Sequence, residues 1–205
     1  MTVKKLHYTS GLLLTVFIGV HLFNHLCSIW GIGKHITVME TLRPFYRNML
    51  VEAFILLAVA VQILSGAKLF ATARAEAGSR FEQLQLWTGL YLAVFFVIHV
   101  GSVLFGRLLL NLDTNFYYGA AGLNTFPFSL FFIPYYGLAT LSFFGHAAAI
   151  HNQKMQLSFW GWTPKGQAKA ILVFGFLSTV AMFYGLTNRF RGINIPAEYN
   201  VLIGK

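Results

Sequence analysis

The sequence predicts an all-α integral membrane protein, a bundle of five transmembrane helices. Of its 205 residues, 57% are hydrophobic and 10% are charged, whereas a soluble domain carries about 25% charged residues. Five apolar segments, approximately 8–30, 49–72, 86–108, 128–150 and 168–188, are each long enough to cross about 30 Å of hydrocarbon at about 1.5 Å per residue. The period-two alternation over about ten residues that marks a membrane barrel strand has no counterpart here. No internal repeat or shift in composition divides the chain, so residues 1–205 are read as one domain.

The first segment, 8–30, is too long for the apolar core of a signal peptide, and no A-x-A-like cleavage site follows it, so it reads as a retained span. Gly31-Ile32-Gly33-Lys34 ends it, and Arg43-Pro44-Phe45-Tyr46-Arg47 leads into the second span. A short polar link, 74–82, joins the second and third. The link 111–127 is rich in Gly, Asn and Tyr. Its Phe116-Tyr117-Tyr118 suits the membrane interface, where aromatic residues collect. The segment 152–165, with Trp160, Trp162 and Pro164, reads the same way. The tail 189–205 is polar and is expected at the surface.

The net charge of +9 comes from 15 Lys and Arg scattered singly along links and span ends. Without a basic run or basic-aromatic alternation, a nucleic-acid partner is excluded. Anionic lipid head groups are the simple explanation of the charge, and acidic cofactor groups such as haem propionates are the sharper one. With the N-terminus inside, 8 of these cations fall on the inner side and 7 on the outer, which favours a cytoplasmic N-terminus by the positive-inside rule. The expected location is a bacterial cytoplasmic membrane. The single cysteine, Cys27, excludes an intrachain disulfide and a cysteine-held metal or iron–sulfur site. Redox chemistry in this chain must therefore use histidines or come from a partner.

Polar ionisable residues inside a span face the bundle interior and mark function. His21, His25, His99 and His146 qualify. His7 and His35 are placed outside the spans and given no role, and His151 ends the fourth span. The first and third spans run in the same direction. His21 is 13 residues past Tyr8 and His99 is 13 past Leu86, so the two imidazoles lie at nearly one depth. A pair so placed can clamp a flat haem, each giving one nitrogen to the iron. The other ring nitrogen needs an oxygen acceptor, for which Ser102 and Thr15 are candidates. Gly11, Gly19, Gly66 and Gly145 could make room for a macrocycle, or simply let helices approach closely. His25, one turn after His21, is an alternative ligand or a cavity residue.

The segment His7-Tyr8-Thr9-Ser10-Gly11, then Phe17 and His21-Leu22, resembles the first span of the cytochrome b membrane-anchor subunit of succinate:quinone oxidoreductases. The similarity is to the single-chain, five-helix type, which includes fumarate reductase anchors. It extends over about residues 7–188 through Pro44-Phe45-Tyr46-Arg47 with Leu50-Val51-Glu52-Ala53-Phe54, through Trp87-Thr88-Gly89 leading to His99, and through Phe143-Phe144-Gly145-His146-Ala147-Ala148. The resemblance implies b-type haem, with His21 and His99 binding the haem nearer the outer side and His146 binding one nearer the inner side. The partner of His146 would come from a His-x-x-x-Gly motif in span two. Here that place reads Gln62-Ile63-Leu64-Ser65-Gly66, so Gln62 stands where the family has histidine. One haem is therefore the favoured count and two the alternative. The resemblance also associates acidic residues near Glu52 with quinone and proton handling, while a solvated helix-start carboxylate is the simpler reading.

The implied function is electron relay between a soluble iron–sulfur and flavoprotein pair and a membrane quinone. The chain has no flavin or nucleotide fingerprint, so substrate chemistry belongs to the partners and the chain is non-catalytic alone. The alternatives are a haem-free transporter or assembly protein whose histidines relay protons or bind metal, and a b-type cytochrome serving another donor.

Overall fold

The computed structural model describes residues 2–205. Among them the fold is all-helical, with helices α1 (Val3–Leu26), α2 (Ile32–Tyr46), α3 (Met49–Ala73), α4 (Arg80–Leu108), α5 (Phe116–Ala120), α6 (Ser129–Lys154) and α7 (Pro164–Leu186). Short 3₁₀ segments at Cys27–Trp30, Gly122–Asn124 and Ala197–Ile203 complete it.

Four helical stretches are long and apolar enough to cross a membrane: Val3–Trp30, Met49–Ala73, Arg80–Leu108 and Pro164–Leu186. Their outward side chains are large and apolar, as at Val16, Leu64, Val97 and Phe174. Such a surface suits lipid rather than water. The expected fourth span, 128–150, is present as the 26-residue α6 but is not among these four. Pro134, Tyr135, Tyr136 and His146 dilute its apolar run, and apart from Tyr135 its buried residues are small: Gly137, Ala139, Ser142, Gly145, Ala148 and Ala149. That composition suits a helix packed closely on its neighbours, since small residues let helix backbones approach. α6 packs on both α4 and α7; α1 packs on α3, and α3 on α4, with lighter contact between α7 and α1.

The helices α1, α3, α4 and α7 start on side-chain caps, whereas α6 starts at Phe128 without one. Thr2 accepts from the Lys5 amide, Asn48 from Leu50 and Thr163 from Gly166, the last followed by Pro164 in the first turn. Ser79 and Glu82 form a reciprocal capping box for α4, satisfying two amides that the first turn leaves without partners.

Two regions differ from expectation. The stretch after the first span, read as a link, folds as α2 and buries His35 and Met39 one turn apart. The tail is no loose surface segment: Tyr199 is fully buried and Ile203 nearly so. The Tyr199 hydroxyl donates to the Asp113 carbonyl at 3.0 Å, and Asp113 pairs with Arg43 of α2 at 2.9 Å. Tail, α2 and the α4–α5 link are thus tied together at the end of the molecule where α1 finishes, here called the far end. The near end holds the start of α1 and the end of α6, where Lys154 Nζ sits 4.2 Å from the centre of the Tyr8 ring.

Candidate functional site

Four histidines gather toward the far end. His21 and His25 share one face of α1, His99 comes from α4 and His35 from α2. The His21 and His99 ring centroids are 6.2 Å apart at an interplanar angle of 64°. Phe17 stacks on His21 at 6.1 Å and Phe95 on His99 at 4.8 Å, which fixes both rings from the side. Counting along the helices predicts this meeting, and the structure brings the pair together.

The other two rings extend the group outward. His25 Nε2 lies 3.1 Å from His21 Nε2, and His25 Nδ1 lies 3.3 Å from His35 Nε2. Asn24 Nδ2 reaches His35 Nε2 at 3.4 Å. A neutral imidazole has one N–H and one lone pair, so the donor direction at one link sets the direction at the next. His35 is 2% exposed, and its Nδ1 has no partner, nor does the buried Asn24 Oδ1. Burial, reinforced by the His21 charge, holds the His35 pKa down to about 4. His35 therefore belongs to the site although sequence reasoning gave it no role. No signal in the sequence brings it there, because α2 must first fold back over α1.

The acceptors expected for the paired rings are engaged elsewhere. Ser102 meets Tyr118, its Oγ at 3.1 Å from the phenol and its carbonyl accepting at 2.6 Å. Thr15 donates to the Gly11 carbonyl. Glu52 is paired with Arg107 of α4 through both carboxylate oxygens. Gly11 faces Gln62, Gly66 faces His7 and Gly145 faces Thr88, so these three serve close packing, while Gly19 has open space beside it.

The near-end layer is arranged differently. Gln62 does not meet His146. Its Nε2 donates to Ser10 Oγ at 2.7 Å and to the His7 carbonyl, binding α3 to α1. His146 Nδ1 lies 3.0 Å from the Gln85 carbonyl and 3.4 Å from Thr88 Oγ1. His7 lies within α1, not outside the first span, and its Nδ1 meets Ser65 Oγ at 2.8 Å. His151 Nε2 is 2.8 Å from Gln167 Oε1 at the membrane edge.

The donor set bears on what could be held. Among the described residues, no three His, Cys, Asp or Glu side chains form a group that could hold a metal ion. A haem brings four nitrogens of its own and needs only two from the protein. Two imidazoles on opposite sides of one metal, with bonds of about 2 Å, place their ring centroids roughly 6 Å apart; the His21–His99 separation matches this. A cavity of about 20 Å³ beside His21, lined by Phe17, Asn24, Leu42 and Tyr46 among others, has room for about one water. A void of that size would have to open to hold a macrocycle. A larger cavity of about 240 Å³ lies near Phe70, Arg74 and Trp87 and holds none of the histidines.

No protein-family model, curated protein or solved structure matches the chain.

Proposed function

We propose that the chain is the membrane-anchor cytochrome b of a succinate:quinone oxidoreductase-like complex, and that His21 and His99 hold a b-type haem between α1 and α4. The observation that carries this reading is the meeting of those two imidazoles, from different helices, at the spacing a shared iron requires. The haem supplies one-electron exchange; the chain positions it, and Phe17 and Phe95 keep its ligands in register.

In this reading α6 is a fifth span beside the four more apolar ones, and the near end faces the cytoplasm. Lys4, Lys5, Arg74, Arg80 and Lys154 gather around that end and offer a basic surface to the iron–sulfur and flavoprotein partners. A quinone is reduced or oxidised toward the far end, where His25 and Glu52, the latter paired with Arg107, exchange its protons. The membrane is the bacterial cytoplasmic membrane.

The linked rings His21–His25–His35 favour one alternative, a haem-free membrane protein that moves protons. A pyridine haemochrome assay on detergent-purified, fully assembled protein separates the two. We expect b-type haem and a sharp α band on reduction. A complex that carries no haem overturns the cytochrome reading.

A further inference from the structure

The cavity of about 240 Å³ at the near end is built from one face of each of two helices. Phe70 and Arg74 are four residues apart at the end of α3. Gln83, Leu86 and Trp87 follow the three- and four-residue spacing of a single face of α4. Ala77, in the link between the helices, completes the wall. α3 runs toward the near end and α4 away from it, so Phe70 lies one turn deeper than Arg74, and Trp87 one turn deeper than Gln83. Each step is about 6 Å along the helix. The two deeper rings meet edge to face, their centroids 5.6 Å apart at 69°. The cavity is therefore polar at its rim and aromatic at its floor.

The cation at the rim has no carboxylate partner. The ion pairs among the described residues are Arg43–Asp113, Arg47–Asp113 and Arg107–Glu52, all at the far end. The acidic residues nearest Arg74 in the sequence, Glu76 and Glu82, do not line the cavity. Glu82 instead accepts from the Gly78 and Ser79 amides, where it caps α4. Below the rim, Trp87 heads a stripe with Val94 and Ile98, at intervals of seven and four residues, and all three are exposed to the apolar surroundings of the bundle. An inorganic anion would leave the aromatic floor unused, and a neutral amphiphile would leave Arg74 unused. A guanidinium presents a fork of N–H donors that fits two phosphate oxygens. Basic pockets between membrane helices at the cytoplasmic edge suit anionic head groups.

We propose that this cavity binds an anionic glycerophospholipid, with its phosphate on Arg74 and Gln83 and an acyl chain running past Trp87 along the Val94–Ile98 stripe. The site needs a bilayer around the bundle but no haem, so it stands or falls separately from the cytochrome reading.

Trp87 reports occupancy directly. The full-length protein, purified with its partners, is placed in phosphatidylcholine nanodiscs with rising fractions of phosphatidylglycerol brominated on its acyl chains, since bromine quenches a nearby indole. The difference between wild type and Trp87→Phe separates this residue from Trp30, Trp160 and Trp162. Quenching of Trp87 should saturate at a low fraction of brominated phosphatidylglycerol and stay weak with brominated phosphatidylcholine at the same fraction. Arg74→Gln should raise the fraction needed about tenfold or more, the loss expected for a charge-assisted hydrogen bond. Arg74 is exposed, so this variant should melt with wild type. Equal quenching by the two brominated lipids, or an unchanged midpoint in Arg74→Gln, overturns the site. Inorganic phosphate should leave the quenching intact. If phosphate relieves it, the ligand is a soluble anion and the lipid assignment fails.

Discussion

His25 Nε2 lies 3.1 Å from His21 Nε2. An imidazole nitrogen that binds iron has no lone pair left for a neighbour, and it carries no hydrogen to donate. Haem held by His21 and the contact between His21 and His25 therefore exclude one another. In the proposed reading, haem held through His21 Nε2 would require the His25 ring to leave this contact. We expect His21→Ala and His99→Ala each to abolish the same haem, read by haemochrome and by the reduced-minus-oxidised spectrum. His25→Ala should keep that haem at full stoichiometry. Loss of haem in His25→Ala with His21 intact would make His25 the ligand.

His35 makes the far-end layer sensitive to acid. Its pKa is held at about 4, against an ordinary value of 6.5, by burial and then by the charge of His21. The groups around it are the His25 ring, Asn24 and the edge-on Phe116, with no carboxylate among them. The folded state binds fewer protons than the unfolded state between those two values. Stability from neutral His35 is thus complete above pH 6.5 and drains away as pH falls toward 4, with no further loss below. The interval corresponds to about 3 kcal/mol at most. Thermal melts of wild type should drop between pH 6.5 and 4.5, and His35→Asn should flatten that drop. An equal drop in both proteins would place the acid sensitivity elsewhere.

How much of this was legible in the sequence depends on which force sets each element. α1, α3, α4 and α7 are continuous apolar runs, and the bilayer length alone defines them. Depth counting then brings His21 to His99, because a straight helix converts residue number directly into height. α2 is not legible in the sequence, because Gly31, Gly33, Thr37, Thr41 and Pro44 read as link residues. Its helix exists because His35 and Met39 bury one turn apart against its neighbours, a tertiary cause that local pattern does not carry. His7 lies one residue before the apolar run in the sequence, yet α1 begins at Val3 and includes it. Tyr199 was lost in a polar tail, whose single buried ring decides where the segment goes.

Gln62 should behave as a joint between helices. Its amide donates to Ser10 Oγ and to the His7 carbonyl, so it fixes the height of α1 against α3. Gln62→Leu removes both cross-helix donor bonds, while the His7 carbonyl keeps the Ser10 hydroxyl at 3.2 Å. The expected cost is about 1–2 kcal/mol, seen as a lower melting temperature in detergent. Reduced melting together with an unchanged haem count is the expected pattern. A normal melt would mean that the clamp carries no load.

The Glu52–Arg107 pair joins the far ends of α3 and α4. Both side chains are about a quarter exposed, so solvent screening limits the pair to about 1 kcal/mol of stability. Glu52→Gln and Arg107→Gln should therefore melt within that margin of wild type and of each other. Their quinone kinetics should differ. A proton-exchanging carboxylate contributes about a hundredfold or more in rate, so Glu52→Gln should slow quinone turnover at least that far, whereas Arg107→Gln retains the carboxylate and should slow it less. Equal rates in the two variants would reduce Glu52 to half of an ion pair.

The tail closes the far end through one residue. Tyr199 is 0% exposed, stacks with Tyr117 at 6.0 Å and donates to the Asp113 carbonyl at 3.0 Å. Asp113 in turn holds Arg43 of α2, and Arg47 donates to Thr114 at 2.7 Å. α2 is therefore pinned at its C-terminal end by a segment about 150 residues later in the sequence, and α2 carries His35 into the site. Tyr199→Phe removes one hydrogen bond and should cost about 1 kcal/mol. Tyr199→Ala also empties a ring-sized space and should cost about 3–5 kcal/mol. Because the anchor is shared, Tyr199→Ala should expose Lys34 and Arg47 to trypsin at least tenfold faster, while Tyr199→Phe leaves cleavage close to wild type. Unchanged cleavage in Tyr199→Ala would show that α2 is held by His35 and Met39 alone.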